Sequence, residues 1–158
     1  MTQETQDTTA YRYSFTVPLA PEAAFELFTE GFDRWWPKDR VHLSERPCEA
    51  VVLEPVAGGR WYERADDGTE IDWGFVREVD RPGRILMAWQ LDPEWSFEPD
   101  ESKATDVEVT FEPEEDGTRV TLEHRGFEVH GAPGAGMREA VSGEGGWPEH
   151  LEHYRRVA

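Results

Sequence analysis

The chain has 158 residues, enough for one domain with a buried core, and its 37% hydrophobic content with seven Trp is not the composition of a disordered protein. Thirty-four acidic against sixteen basic side chains give a formal charge of −18, which repels phosphate backbones and anionic lipid headgroups and so argues against nucleic acid and membrane partners. Cys48 is the only cysteine, no apolar run reaches the roughly 18 residues a bilayer span needs, and residues 1–10 lack the apolar segment of a signal peptide, so the expected location is cytoplasmic.

Residues 1–10 hold little to bury and are expected as a disordered tail before a single domain over residues 11–158. Tyr11, Tyr13, Phe15 and Val17 alternate with polar residues, the pattern of a half-buried strand, and Pro18 stops it. Pro21 suits the first turn of a helix, and Glu22 complements the positive end of its dipole. Ala24, Phe25, Leu27 and Phe28 give that helix its apolar face, and Gly31 closes it. Phe28, Phe32, Trp35 and Trp36 continue at helical spacings into a second short piece that ends at Pro37. Residues 49–54 form a second strand before Pro55. Three aromatic strands follow near residues 58–63, 73–76 and 85–89. Ile71, Trp73, Phe75 and Val79 lie two or four apart, as do Ile85, Met87, Trp89 and Leu91, which predicts one buried face for each strand. Asp66-Asp67-Gly68 and Asp80-Arg81-Pro82-Gly83 supply the turns.

Residues 92–103 carry five acids, two prolines and the aromatics Trp95 and Phe97, and are expected as a long acidic loop. Thr105, Val107, Val109 and Phe111 then alternate with polar residues, Glu115-Asp116-Gly117 turns the chain, and Val120, Leu122 and His124 complete a hairpin. Residues 131–136, with three glycines and Pro133, read as a breaker before a short helix over 137–141. The last helix begins at Pro148, with Trp147, Leu151 and Tyr154 on one face.

The order is strand, two short helices, six strands and a final helix, which predicts an antiparallel sheet curled around that helix. At this point the chain resembles the START-like, Bet v 1-like (SRPBCC) superfamily, in the branch similar to the C-terminal domain of the activator of Hsp90 ATPase. The residues that carry the resemblance are Phe25 and Phe28, Trp35-Trp36-Pro37, Gly58-Gly59-Arg60-Trp61, Asp67-Gly68 with Trp73-Gly74, Trp89, residues 107–112 and 118–123, and Gly146-Trp147. The resemblance implies an α+β helix-grip fold, with about seven curved antiparallel strands wrapped around a C-terminal helix, two short helices after strand one, and a cavity between sheet and helix. One departure is a final helix of about 11 residues, or ~16 Å, shorter than is usual in the family.

Trp36, Trp61, Trp73, Phe75, Met87, Trp89, His124 and Trp147 are the candidate ligand contacts, since aromatic walls suit a small apolar or aromatic molecule. Core packing accounts for the same periodicity. His124 falls on the apolar register of its strand, where a neutral imidazole could donate to a ligand or act as a base; a structural histidine is the plainer account. His150 and His153, beside Glu149 and Glu152, read as solvated helix polarity, and neither metal nor cofactor is expected. Ser142, Cys48 and residues 131–136 lack the surroundings of a nucleophile or a phosphate loop. Arg60, Arg64 and Arg77 are expected to pair with acids across strands. The leading reading is therefore a binding module for a small hydrophobic molecule. A protein-interaction or co-chaperone-like role, anchored on Trp95 and Phe97, is the first alternative. A cyclase- or hydrolase-type enzyme using His124 with Tyr62 is the second. Trp147 is expected to plug one end of the concave face of the sheet.

Overall fold

The computed structural model of the chain describes residues 7–158, so residues 1–6 of the expected tail lie outside the described residues. Alternating apolar and polar residues build strands β1 (Tyr11–Val17), β2 (Cys48–Leu53), β3 (Arg60–Ala65), β4 (Glu70–Asp80), β5 (Arg84–Trp89), β6 (Thr105–Glu114) and β7 (Gly117–Arg125). They form one antiparallel sheet in the order β1-β7-β6-β5-β4-β3-β2. Each strand thus lies beside its chain neighbour, except that β1 crosses over to close the edge next to β7. Val107, Val109 and Phe111 of β6 sit opposite His124, Leu122 and Val120 of β7 on the buried face.

Helices α1 (Pro21–Phe28), α2 (Phe32–Trp35), α3 (Ala132–Ser142) and α4 (Trp147–Val157) cover the concave face. Short helices are held by tertiary packing rather than by propensity. Helix α4 buries Trp147, Leu151 and Tyr154, and the Tyr154 hydroxyl donates to the Ala24 carbonyl at 2.7 Å, tying α4 to α1. Phe28, Trp35 and Tyr154 pack ring against ring at that junction. The α+β helix-grip architecture is that expected from the sequence, with seven strands and two short helices after β1.

Two local expectations are corrected. Helix α3 begins at Ala132, inside the glycine-rich run, and not at residue 137. Pro133 sits in the first turn, where a missing N–H costs nothing, and Gly134 lets the helix press on the 3-10 turn Phe127–His130, since a Cβ there would run into the Phe127 carbonyl oxygen. Phe75 does not share the buried face of Trp73. Trp61 pairs with Gly74 and Tyr62 with Asp72, so Trp73 is the extra residue of a β-bulge. A bulge inverts the alternation beyond it. Trp73, Gly74 and Val76 are therefore buried, while Phe75 turns to the convex face, where the Arg77 guanidinium lies 5.2 Å from its ring centre. Gly74 is required at the bulge because a Cβ would meet the Ala88 carbonyl of β5.

Candidate functional site

A cavity of about 420 Å³ opens where sheet, α4, α3 and the segment after α2 meet. The sheet contributes Trp73 and Trp89, α4 contributes Trp147 and His150, α3 contributes Ala140 and Val141, and residues 36–43 contribute Trp36, Val41, His42 and Leu43. Arg40, Trp95 and Glu144 also line it, with Arg40 and Trp95 exposed at its rim.

Hydrogen bonds set these walls. The Glu63 carboxylate is wholly buried and accepts from the Leu43 N–H at 2.6 Å, the Ser44 N–H at 2.9 Å and the Trp73 indole N–H at 2.8 Å. One acid thus fixes both the loop wall and a wall ring. The Trp36 indole donates to the Val41 carbonyl at 2.9 Å, closing the same loop on itself. The Trp147 indole donates to His124 Nδ1 at 3.0 Å, and His124 Nε2 lies 2.8 Å from the Thr105 hydroxyl. An indole N–H can only donate, so Nδ1 is the acceptor and the His124 proton sits on Nε2, directed at Thr105 Oγ1. Complete burial pushes the His124 pKa down to about 3, which keeps the ring neutral.

Of the candidate ligand contacts, the structure gathers Trp36, Trp73, Trp89 and Trp147 around the cavity. Trp61, Met87 and His124 are fully buried in the packed core and do not line it, and Phe75 lies on the opposite face. His124 supports the wall from behind, through its bond to Trp147. The His124 and Tyr62 pairing is not formed. Tyr62 belongs to the convex face, beneath the Arg60 guanidinium at 3.8 Å from its ring centre. Arg60 pairs with Asp72 and Glu70, and Arg77 with Asp106, as expected for cross-strand charges. Among the described residues, no group of three or more His, Cys, Asp or Glu could hold a metal ion, and no helix is long and apolar enough to cross a membrane.

Among the lining residues that the sequence did not single out as ligand contacts, His150, His42 and Trp95 carry rings. His150 was read as solvated polarity, yet it is buried against Trp36, with ring centres 4.5 Å apart, and burial pushes its pKa down to about 4. The signal was present, because His150 follows Trp147 by three and precedes Tyr154 by four, on the same helix face. His42 lines the cavity from a loop with no periodicity to read. Trp95, assigned to an acidic loop as an exposed anchor, leans on Trp89 with ring centres 6.4 Å apart. Its backbone is left-handed, with φ of 64°, in a turn where Asp92 accepts from the Glu94 and Ser96 N–H groups.

A family model described as Activator of Hsp90 ATPase homolog 1-like protein matches residues 18–157. Among solved structures, the chain is 36% identical to the anthrahydroquino-gamma-pyrone synthase Txn09, solved in complex with SUM, over 95% of this chain and 97% of that one, with a TM-score of 0.67. It is 28% identical to CalC, a self-sacrificing resistance protein from Micromonospora echinospora, over 95% of this chain and 94% of that one, again with a TM-score of 0.67. Protein MLL2253 from Mesorhizobium loti shares the fold at 20% identity and a TM-score of 0.65, over 94% of this chain and 95% of that one. No curated protein matches the chain.

Proposed function

The chain belongs to the family of activator of Hsp90 ATPase homolog 1-like proteins, a branch of the START-like superfamily, and on that premise we propose that it binds a small, largely aromatic molecule in the tryptophan-walled cavity. The observation that carries this reading is the cavity itself. Its volume of about 420 Å³ lies within the range of roughly 300–1,000 Å³ for small-molecule sites. Trp36, Trp73, Trp89 and Trp147 offer flat faces to a planar ligand at little entropic cost. The similarity to a synthase named for an anthrahydroquino-gamma-pyrone supports a fused-ring ligand over a flexible chain.

The first test is native mass spectrometry of protein purified from its own host, followed by displacement of a bound fluorescent dye. One saturable site that quenches tryptophan emission is expected. Ala140→Trp, which fills the rim from an exposed position of α3, should abolish binding while leaving the melting temperature close to that of the parent. A dye panel with no saturable binding, or an Ala140→Trp protein that binds normally, would overturn the reading.

Trp95 and Phe97 are 40% and 37% exposed, as a protein-docking role would need. Trp95, however, lines the cavity and rests on Trp89, which supports the ligand reading over a separate docking face.

A further inference from the structure

Five of the chain's seven tryptophans, Trp36, Trp73, Trp89, Trp95 and Trp147, line the cavity, and among the described residues the Lys, Arg, Asp and Glu side chains that do so are Arg40 and Glu144 alone. The two differ in what they have left to give. Arg40 is engaged: its Nη1 lies 3.7 Å from Glu149 Oε1, its Nε lies 4.0 Å from Asp39 Oδ1, and its Nη2 donates to His153 Nε2 at 3.1 Å. Glu144, exposed in the turn between α3 and α4, forms neither an ion pair nor a side-chain hydrogen bond among the described residues. Asp92 and Glu94, in the turn that carries Trp95, form no ion pair there either. The rim is therefore acidic on balance.

Inside the rim an anion finds little to bind. The indole N–H groups of Trp36, Trp73 and Trp147 are spent on Val41, Glu63 and His124, and that of Trp89 is buried out of a ligand's reach. The positive end of α4 meets the cavity at Trp147, but Pro148 has no N–H to offer and Glu149 stands in the first turn as its counter-charge. A cation is better served, since the face of an indole is the strongest cation acceptor among aromatic side chains. We propose that the cavity selects aromatic molecules that carry a positive charge, with an amine or quaternary ammonium group held at the rim by Glu144 and Trp95 while the ring enters among the buried walls. This rests on the ligand-binding reading above and deepens it. Because Glu144 and Trp95 are exposed, the cation keeps part of its hydration and escapes the cost of full burial. The formal charge of −18 works in the same direction by raising the concentration of cations at the surface.

The probes are 2-naphthyltrimethylammonium and 2-naphthalenesulfonate, which place tetrahedral groups of opposite charge on the same ring, with 2-tert-butylnaphthalene as the uncharged shape. Equilibrium dialysis against the full-length protein at about 0.15 M salt, where exposed charges more than roughly 8 Å apart are largely screened, should show the ammonium binding about tenfold more tightly than the sulfonate. Glu144→Gln, at an exposed position with no bond to lose, should cut that ratio about threefold, and Trp95→Leu, which removes the exposed ring face, should cut it by a similar factor. Equal affinities, a tighter sulfonate, or binding of the neutral probe alone would overturn the charge selection while leaving the binding site in place. A ratio that survives both substitutions unchanged would trace it to the overall charge and overturn the role of the rim. Failure of all three probes to bind would overturn the cavity reading and this inference with it. Because the ratio in the parent protein can refute the selection by itself, the test does not depend on the variants folding.

Discussion

Glu63 is a carboxylate with no exposed surface, three N–H donors and no cation against it in the ion pairs of the described residues, and its replacement by Gln should be among the costliest conservative changes in the chain. Gln retains one oxygen. If that oxygen takes the place of Oε1 it can still accept from Leu43 and Trp73, but the new amide then faces the Ser44 N–H, donor against donor. One orphaned buried donor costs about 1–3 kcal/mol, and reducing two charge-assisted bonds to neutral ones removes roughly another 1 kcal/mol each. Returning a buried charge to neutrality offsets part of this, since burying an ion is itself expensive. The net expectation is about 3 kcal/mol, or roughly 6–12 °C in melting temperature for a domain of this size. Urea unfolding followed by circular dichroism measures the free energy, and dye affinity should weaken in parallel because Leu43 and Trp73 are wall residues. A Glu63→Gln protein that melts within a degree of the parent, or above it, would show that desolvation of the carboxylate outweighs its three bonds, and the account of how the wall is held would fail.

Gly74→Ala should cost 3 kcal/mol or more, because its Cβ would strike the backbone oxygen of Ala88 and the bulge has no flexible side chain to yield; a soluble variant with a parental melting temperature would contradict the bulge geometry. Trp147→Ala should cost about 3–5 kcal/mol by opening the core and leaving His124 Nδ1 without its donor, and a melting midpoint that does not move would mean that Trp147 only gates the mouth. His124 and His150 have folded pKa values of about 3 and about 4, both below the ordinary 6.5, so in acid the unfolded chain takes up protons that the folded chain refuses. Their stabilisation is complete above pH 6.5 and falls as the pH drops toward 4, with a slope approaching ~2.7 kcal/mol per pH unit from the two rings together. Urea midpoints at pH 7, 6 and 5 would reveal it, and His150→Leu should halve the slope between pH 6 and 5.

What could be read from the sequence was what the chain encodes over a few residues. Val120, Leu122 and His124 alternate because a strand alternates, and all of them are fully buried in β7. The bulge at Trp73 leaves no such trace, so simple alternation sets Phe75 on the buried face, although that alternation holds only up to the extra residue. Glu63 sits between Tyr62 and Arg64 and reads as surface charge. Its role depends on N–H groups 19 and 20 residues earlier, a contact that exists only once β3 and the loop after α2 are in place. The glycine-rich start of α3 reads as a breaker because propensity counts against it, while the packing on Phe127 that stabilises it lies outside any local window. His150 is different, since its helical spacing from Trp147 and Tyr154 sets it on the buried face, although its polar ring suggests the solvent face.

The shortness of α4 explains why a core so rich in large rings still has a hollow in it. Eleven residues rise ~16 Å, whereas seven strands at about 4.8 Å spacing span roughly 29 Å from edge to edge, so α4 is too short to span the sheet's width. Helices α1 and α2 fill the end near Phe28 and Tyr154, where ring packs on ring. The other end is roofed by parts that meet at a corner: α3, the start of α4 and the loop that Glu63 holds. Collapse of that corner would require Trp36, Trp73 or Trp147 to swing inward, and each is tethered by its indole nitrogen to a fixed acceptor. Swinging any of them costs a buried hydrogen bond as well as a rotamer change, which keeps the walls upright and the space between them open.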